Sequence, residues 1–187
     1  MINTRNNVGK FKLGKKAIIS DPCYDREIME KQNGIIEVMP GTWDSKIIVK
    51  DGRVYELVAW NVKTGEPSAY SDWEMTNIEV GVDSGQAGIF DLDNYKRNDS
   101  VRGLKRLYKE DPINPEDIWY SWCCDRTLSE DMSGTIPFGV ISSSGYGDGC
   151  YTCAVQKTKG EITAISIVFV NDGEDFDERY DREEGEE

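Results

Sequence analysis

A chain of 187 residues is long enough to bury one good core and no more, because domains usually run to about 100 to 200 residues. Its 38% hydrophobic and 10% aromatic residues supply enough apolar area to offset the entropy of folding, which excludes wholesale disorder. The net charge of −13 is lopsided: residues 172–187 hold ten acids against two arginines, a local −8, so 172–187 reads as a solvated, disordered acidic tail behind a mildly acidic single domain over 1–171.

In chain order, Lys10 to Leu13 and Lys16 to Ser20 have strand-length apolar patterning, and Gly14 turns the chain between them. Asp21-Pro-Cys-Tyr24 breaks the strand, Asp25 to Lys31 predicts a short helix, and Ile35 to Met39 the next strand. Lys46 to Val49 and Val54 to Trp60 flank Lys50-Asp-Gly-Arg53. Asp-Gly between two apolar runs predicts a hairpin, since both central positions of the favoured turn need positive φ. Gly65 to Ser71 reads as loop, Asn77 to Val82 as strand, Asp83-Ser-Gly85 as a tight turn, and Gly88 to Phe90 as extended chain.

Ser100 is a candidate N-cap for a helix to about Glu110, with Val101, Leu104, Leu107 and Tyr108 at helical spacing and Pro112 as its stop. Asn114-Pro-Glu-Asp117 predicts a second helix, Asn114 capping and Pro115 at its first position, with Ile118, Trp119, Trp122 and Cys123 as its buried stripe. Phe138 to Ser142, Cys150 to Gln156 and Glu161 to Val170 predict three more strands, the last two joined through Lys157-Thr-Lys-Gly160. Strands at both ends with helices between them predict an α+β domain built on a mainly antiparallel sheet with two or three short helices.

Three phrases exceed ordinary strand and turn chemistry: Ser20-Asp-Pro-Cys-Tyr24, Val82-Asp-Ser-Gly-Gln-Ala-Gly-Ile-Phe-Asp91 and Gly145-Tyr-Gly-Asp-Gly-Cys-Tyr151. Together they resemble uncharacterised small proteins of bacteria and their phages, including a family built on a domain of unknown function. The resemblance implies a bacterial or phage origin and a compact β-rich fold, and carries no activity with it. Each phrase sets an aspartate beside glycine or proline at a strand end. Asp21, Asp83 and Asp148 then either accept backbone N–H groups in separate Asx-type turns, or are gathered by the sheet into one pocket. In the second account Tyr24, Ser84, Gln86, Asp91, Tyr146, Asp148 and Tyr151 join Asp21 and Asp83 as the candidate ligand or partner surface.

The remaining chemistry is sparse. The chain has no histidine, which removes the commonest general base and the Ser-His and Cys-His nucleophile pairs, and it has no phosphate-binding glycine loop. Asp83, Asp91, Asp93 and Asp148 can hold a divalent cation only through tertiary convergence, so no cofactor is expected. Cys150-Tyr-Thr-Cys153 with Cys123-Cys124 has the count for zinc, but residues three apart on a strand point to opposite faces; the cysteines read as small buried hydrophobes. Five cysteines, a start without an apolar leader and no run of about 18 apolar residues predict reduced thiols and a cytoplasmic protein without a membrane span. Lys96, Arg97, Arg102, Lys105, Arg106 and Lys109, against Asp99 alone, form a basic stretch on the predicted first helix, a candidate anion-binding face onto which the acidic tail can fold back.

These features point to a non-catalytic binding or interaction protein, its partner another protein or a small molecule, with specific nucleic-acid recognition not expected and the oligomeric state open. Two alternatives remain: a small metal-dependent hydrolase or nucleotide-binding protein using Asp21, Asp83 and Asp148, and an acidic DNA mimic that blocks a host defence protein.

Overall fold

A computed structural model describes residues 3–68 and 72–170; the expected tail at 172–187 lies outside the described residues. The fold is α+β, with two antiparallel sheets stacked face to face and a helical layer outside one of them. The first sheet holds β1 (Asn3–Asn7), β2 (Phe11–Leu13), β5 (Gly41–Lys50), β6 (Arg53–Asn61), β7 (Glu74–Val82), β11 (Gly149–Thr158) and β12 (Glu161–Val168). Its order is β1-β5-β6-β12-β11-β7, with β2 also paired to β5. The second sheet runs β4-β3-β8-β10-β9, from β3 (Lys16–Ser20), β4 (Ile35–Glu37), β8 (Gln86–Asp91), β9 (Ser133–Ile136) and β10 (Gly139–Ser143). The helices are α1 (Arg26–Lys31) and α2 (Ile118–Thr127).

Strand alternation explains the layers. Successive side chains leave a strand on opposite faces, so Ile19, Ile89 and Val140 enter the core between the sheets while their neighbours Ile18, Phe90 and Ile141 face the helical layer. Trp43, Ile47, Leu57, Ile165 and Ile167 supply the first sheet's half of the inter-sheet core. On the other side Phe90 and Tyr95 each meet Trp119 edge to face, with ring centroids 5.1 and 5.0 Å away, and are tilted against each other at 5.6 Å. A sheet covered on both faces reads as continuous apolar runs, which is the pattern of β3, β8 and β10.

The hairpin at Asp51-Gly52 forms as the sequence predicts, with φ of +53° and +74° at its two central residues. β1 escapes sequence reading because its Asn-Thr-Arg-Asn-Asn has no apolar alternation; it pairs antiparallel with β5.

The expected helix from Ser100 to Glu110 does not form. A short 3-10 turn, Asn98–Val101, ends at Gly103, whose φ is +76°, and the chain beyond crosses α2 without regular structure. The cause is Asp125 of α2, buried beneath this segment. Its carboxylate accepts the Leu107 and Tyr108 amides at 2.9 and 3.1 Å and the Arg106 Nε at 2.6 Å, while Arg126, which it also pairs, donates to the Lys105 carbonyl at 3.0 Å. Amides that a helix would satisfy internally are satisfied here by a side chain, so helical spacing alone does not decide. The second helix forms but starts later than expected: Asp117, not Asn114, is the N-cap, accepting the Tyr120 amide, and Asn114 instead accepts the Glu116 amide in the turn before it.

Burial pushes the Asp125 carboxyl up, but its hydrogen bonds from Arg106, the two amides and Arg126 together outweigh this and hold it below the usual carboxylate value. The unfolded chain therefore binds this proton at a higher pH than the native one, so the stabilisation is complete above about pH 4 and is lost as pH falls through the native value. Asp125→Asn is expected to cost about 3 kcal/mol at pH 7 and to flatten the acid limb of the stability curve. Urea unfolding at several pH values checks both effects.

Candidate functional site

β3, in the second sheet, ends at Ser20, and Asp21 follows with its side chain fully buried. Beside it the chain passes from β7 in the first sheet to β8 in the second through Asp83-Ser84-Gly85. One Asp21 oxygen accepts the Cys23 amide at 2.8 Å and the Ser84 hydroxyl at 2.6 Å; the other accepts the Asp83 and Ser84 amides at 2.9 and 2.7 Å. The third amide of the turn, Gly85, donates to Asp148 at 3.1 Å, and the Gly85 carbonyl accepts the Ser144 amide. Asp148 belongs to another crossing between the sheets, from β10 to β11. The three aspartate phrases therefore meet at one end of the sandwich, yet Asp21 turns its oxygens onto amides and a hydroxyl and not toward a shared cavity.

The other sequence candidates divide. Tyr24 donates to the Asp83 carboxylate at 2.5 Å, at the solvent edge of the cluster. Gln86 is buried and reaches α2, its amide nitrogen 3.5 Å from the Cys124 sulfur and its oxygen accepting the Thr127 hydroxyl at 2.9 Å. Asp91 lies at the far end of β8, about 17 Å along the strand by its rise per residue, and is committed to the amides of Gly14 and Asn94. Tyr151 is a support: its hydroxyl donates to the carbonyls of Ser144 and Gly147 at 3.0 and 2.6 Å, and its ring meets Phe169 edge to face. Tyr146 stands out at 69% exposure, with the Arg53 guanidinium 4.8 Å from its ring centroid.

Three participants were not singled out from sequence. Tyr95 donates to the Tyr24 carbonyl at 2.8 Å, the Tyr120 hydroxyl of α2 lies near Ser84, and Arg53 stacks on Tyr146. No local signal marks them, since each acts across more than 35 residues of chain.

The basic stretch is broken up by internal pairing. Lys96 bonds Asp25, Arg97 bonds Asp99 and Arg106 bonds Asp125, whereas Arg102, Lys105 and Lys109 are exposed and form no ion pair among the described residues. Arg106, Asp111, Asn114, Tyr120, Ser121 and Cys124 line a cleft of about 240 Å³ between this segment and α2.

These residues lie within residues 14–167, which match the model of a family described as a protein of unknown function, DUF4241. The chain belongs to that family. The matched span holds all three aspartate phrases and α2, and leaves β1, β2 and the acidic segment outside. No curated protein and no solved structure matches the chain.

Electrostatics around the cluster favour protonated side chains. Burial, then the hydrogen bond and charge of Asp21, push the Cys23 thiol up to about 12; burial pushes Tyr120 up to about 12 and raises Cys124. The hydrogen bond to Asp83 raises Tyr24 further. The arrangement can hold a rigid surface and donate hydrogen bonds, and it lacks an activated thiolate near Asp21 at neutral pH. Among the described residues no three Cys, Asp or Glu side chains are grouped as metal ligands, and none of the helices is long and apolar enough to cross a membrane.

Two outcomes are expected. Asp21→Asn puts an amide N–H against backbone N–H donors and should cost about 3 kcal/mol in urea unfolding. In the native protein at pH 8, exposed Cys150 should be alkylated first by iodoacetamide and Cys23 far more slowly, with about one thiol in ten thousand ionised; buried Cys123 and Cys153 should react only on unfolding, as peptide mapping will show.

Proposed function

We propose that this chain is a non-catalytic interaction protein of bacterial or phage origin, working in the cytoplasm, which presents the turn 144–149 to a protein partner. The observation that carries the reading is Tyr146, the most exposed large hydrophobic side chain among the described residues, held on a turn that is otherwise internally satisfied. The Ser144 hydroxyl donates to the Gly147 carbonyl, the Gly147 amide to the Ser144 carbonyl, and Tyr151 braces both carbonyls from below. Gly145 and Gly147, at φ of +63° and +105°, allow the backbone this path. A tyrosine stacked by an arginine, already fixed in place, loses little conformational entropy on binding, and both residue types are enriched at interface hot spots. Asp83 and Asp148, exposed beside it, favour a partner that offers basic side chains.

A metal-dependent hydrolase is less well supported. Both Asp21 oxygens already accept two donors each, and the Asp83 carboxylate takes the Tyr24 hydroxyl, so a cation would have to displace bonds that hold the fold.

The test is affinity capture from the lysate of producing cells with wild-type, Tyr146→Ala and Arg53→Ala baits. A partner retained by wild type should be lost from Tyr146→Ala, weakened at least about tenfold, or about 1.4 kcal/mol, with the melting temperature unchanged. Undiminished capture by both variants would remove this turn from the interface.

A further inference from the structure

The segment that replaces the expected helix bears Arg102, Lys105 and Lys109, all exposed and without an ion pair among the described residues. The same surface exposes two apolar side chains, Leu107 at 47% and Leu128 at 48%. They adjoin one another through α2: the Leu107 amide bonds Asp125, Arg126 bonds the Lys105 carbonyl, and Leu128 caps the same helix. Cations around exposed apolar groups call for an occupant that is acidic and carries bulky apolar residues of its own.

The chain supplies such a segment. Residues 172–187 hold ten acids and two arginines, with Phe176 and Tyr180 as their only bulky apolar residues. The described chain ends at Val170, which lies against Gly145. From there the path to the basic surface is short: Ser143, two residues before Gly145, donates to the Thr127 carbonyl, and neighbouring Arg126 touches Lys105. The 17 residues beyond Val170 reach up to about 56 to 61 Å when extended, more than enough to cross this distance and lie along the surface.

We propose that the acidic segment 172–187 docks in cis on the surface formed by Arg102, Lys105, Lys109, Leu107 and Leu128, with Phe176 and Tyr180 against the leucines and the carboxylates around the cations. A second lysine cluster, exposed Lys10, Lys12, Lys15 and Lys16, is the competing cationic surface. It surrounds the start of β3, the end of that strand opposite Asp21, so it lies away from the Val170 exit, and it has exposed Val62 nearby, whose amide bonds Thr42, the β5 partner of Lys12, where the proposed surface has two leucines. Contacts of this kind, between exposed charges, weaken within a Debye length as salt rises.

The full chain, dilute enough to stay monomeric, is treated with a carbodiimide, which joins a carboxylate to a lysine amine only where the two touch, and the cross-linked peptides are mapped. The expected result is intramolecular links from residues 172–187 mainly to Lys105 and Lys109 in low salt, falling at least about fivefold in about 0.5 M salt, where the Debye length is about 4 Å. Arg102→Glu, which removes no reactive amine, should reduce the same links, as should the pair Phe176→Ala and Tyr180→Ala; circular dichroism verifies that each variant is folded. Links spread equally over Lys10, Lys12, Lys15 and Lys16, links found only between molecules, or links indifferent to salt and to Arg102→Glu would each overturn the proposal.

Discussion

The Asp21 carboxylate sits where the chain must pass from one sheet to the other, and it settles how that passage is made. The amides of this turn face inward at the edge of the sandwich, and each one buried there without a partner would cost about 1 to 3 kcal/mol. Asp21 takes two of the three amides of the β7–β8 turn and Asp148 takes the third. A carboxylate has about four acceptor sites, and Asp21 fills four with N–H and O–H donors. Desolvating a carboxylate is expensive, and what offsets the cost here is that saturation, since charge-assisted bonds to backbone amides are roughly twice as strong as neutral ones. The β10–β11 crossing is then tied to the β7–β8 crossing through the Ser144 amide and the Gly85 carbonyl, so two of the four passages between the sheets are joined beside Asp21.

Asp125 repeats the device on the opposite face of the second sheet. It has no strand to terminate; it organises irregular chain by accepting two consecutive amides and two arginines. Together the two aspartates fix the irregular chain at 21–24, 83–85 and 105–108. Acceptor capacity spent on amides is not free for a metal or a substrate proton, and burial pushes Cys23 and Cys124 toward the thiol form.

What could be read from the sequence follows from the range of the interaction involved. The strands of the second sheet are legible because both their faces are covered, and the Asp51-Gly52 turn because its dihedrals are dictated by its own two residues. The helix at 100–110 was misread because Val101, Leu104, Leu107 and Tyr108 have helical spacing while the group that decides, Asp125, lies 17 or more residues away. The aspartates were conspicuous beside glycine and proline, but whether they served separate turns or one cluster depended on the pairing of β3 with β8 and β8 with β10, which no local pattern carries. Arg53 and Tyr120 were invisible for the same reason.

Rigidity and exposure are separable in this architecture, and the turn at 144–149 is where they part. The bonds from Tyr151, Ser144 and Asp148 go to backbone atoms, so they fix the path of the chain while leaving the Tyr146 side chain exposed beneath the Arg53 guanidinium. A tyrosine needed for the core would be inside it, as Tyr95 is at 7% exposure. One held at the surface by a cation, on a backbone whose glycines adopt positive φ to carry it, contributes little to folding. The cost of building such a turn falls on the fold, and in the proposed interaction role its benefit goes to whatever docks against it.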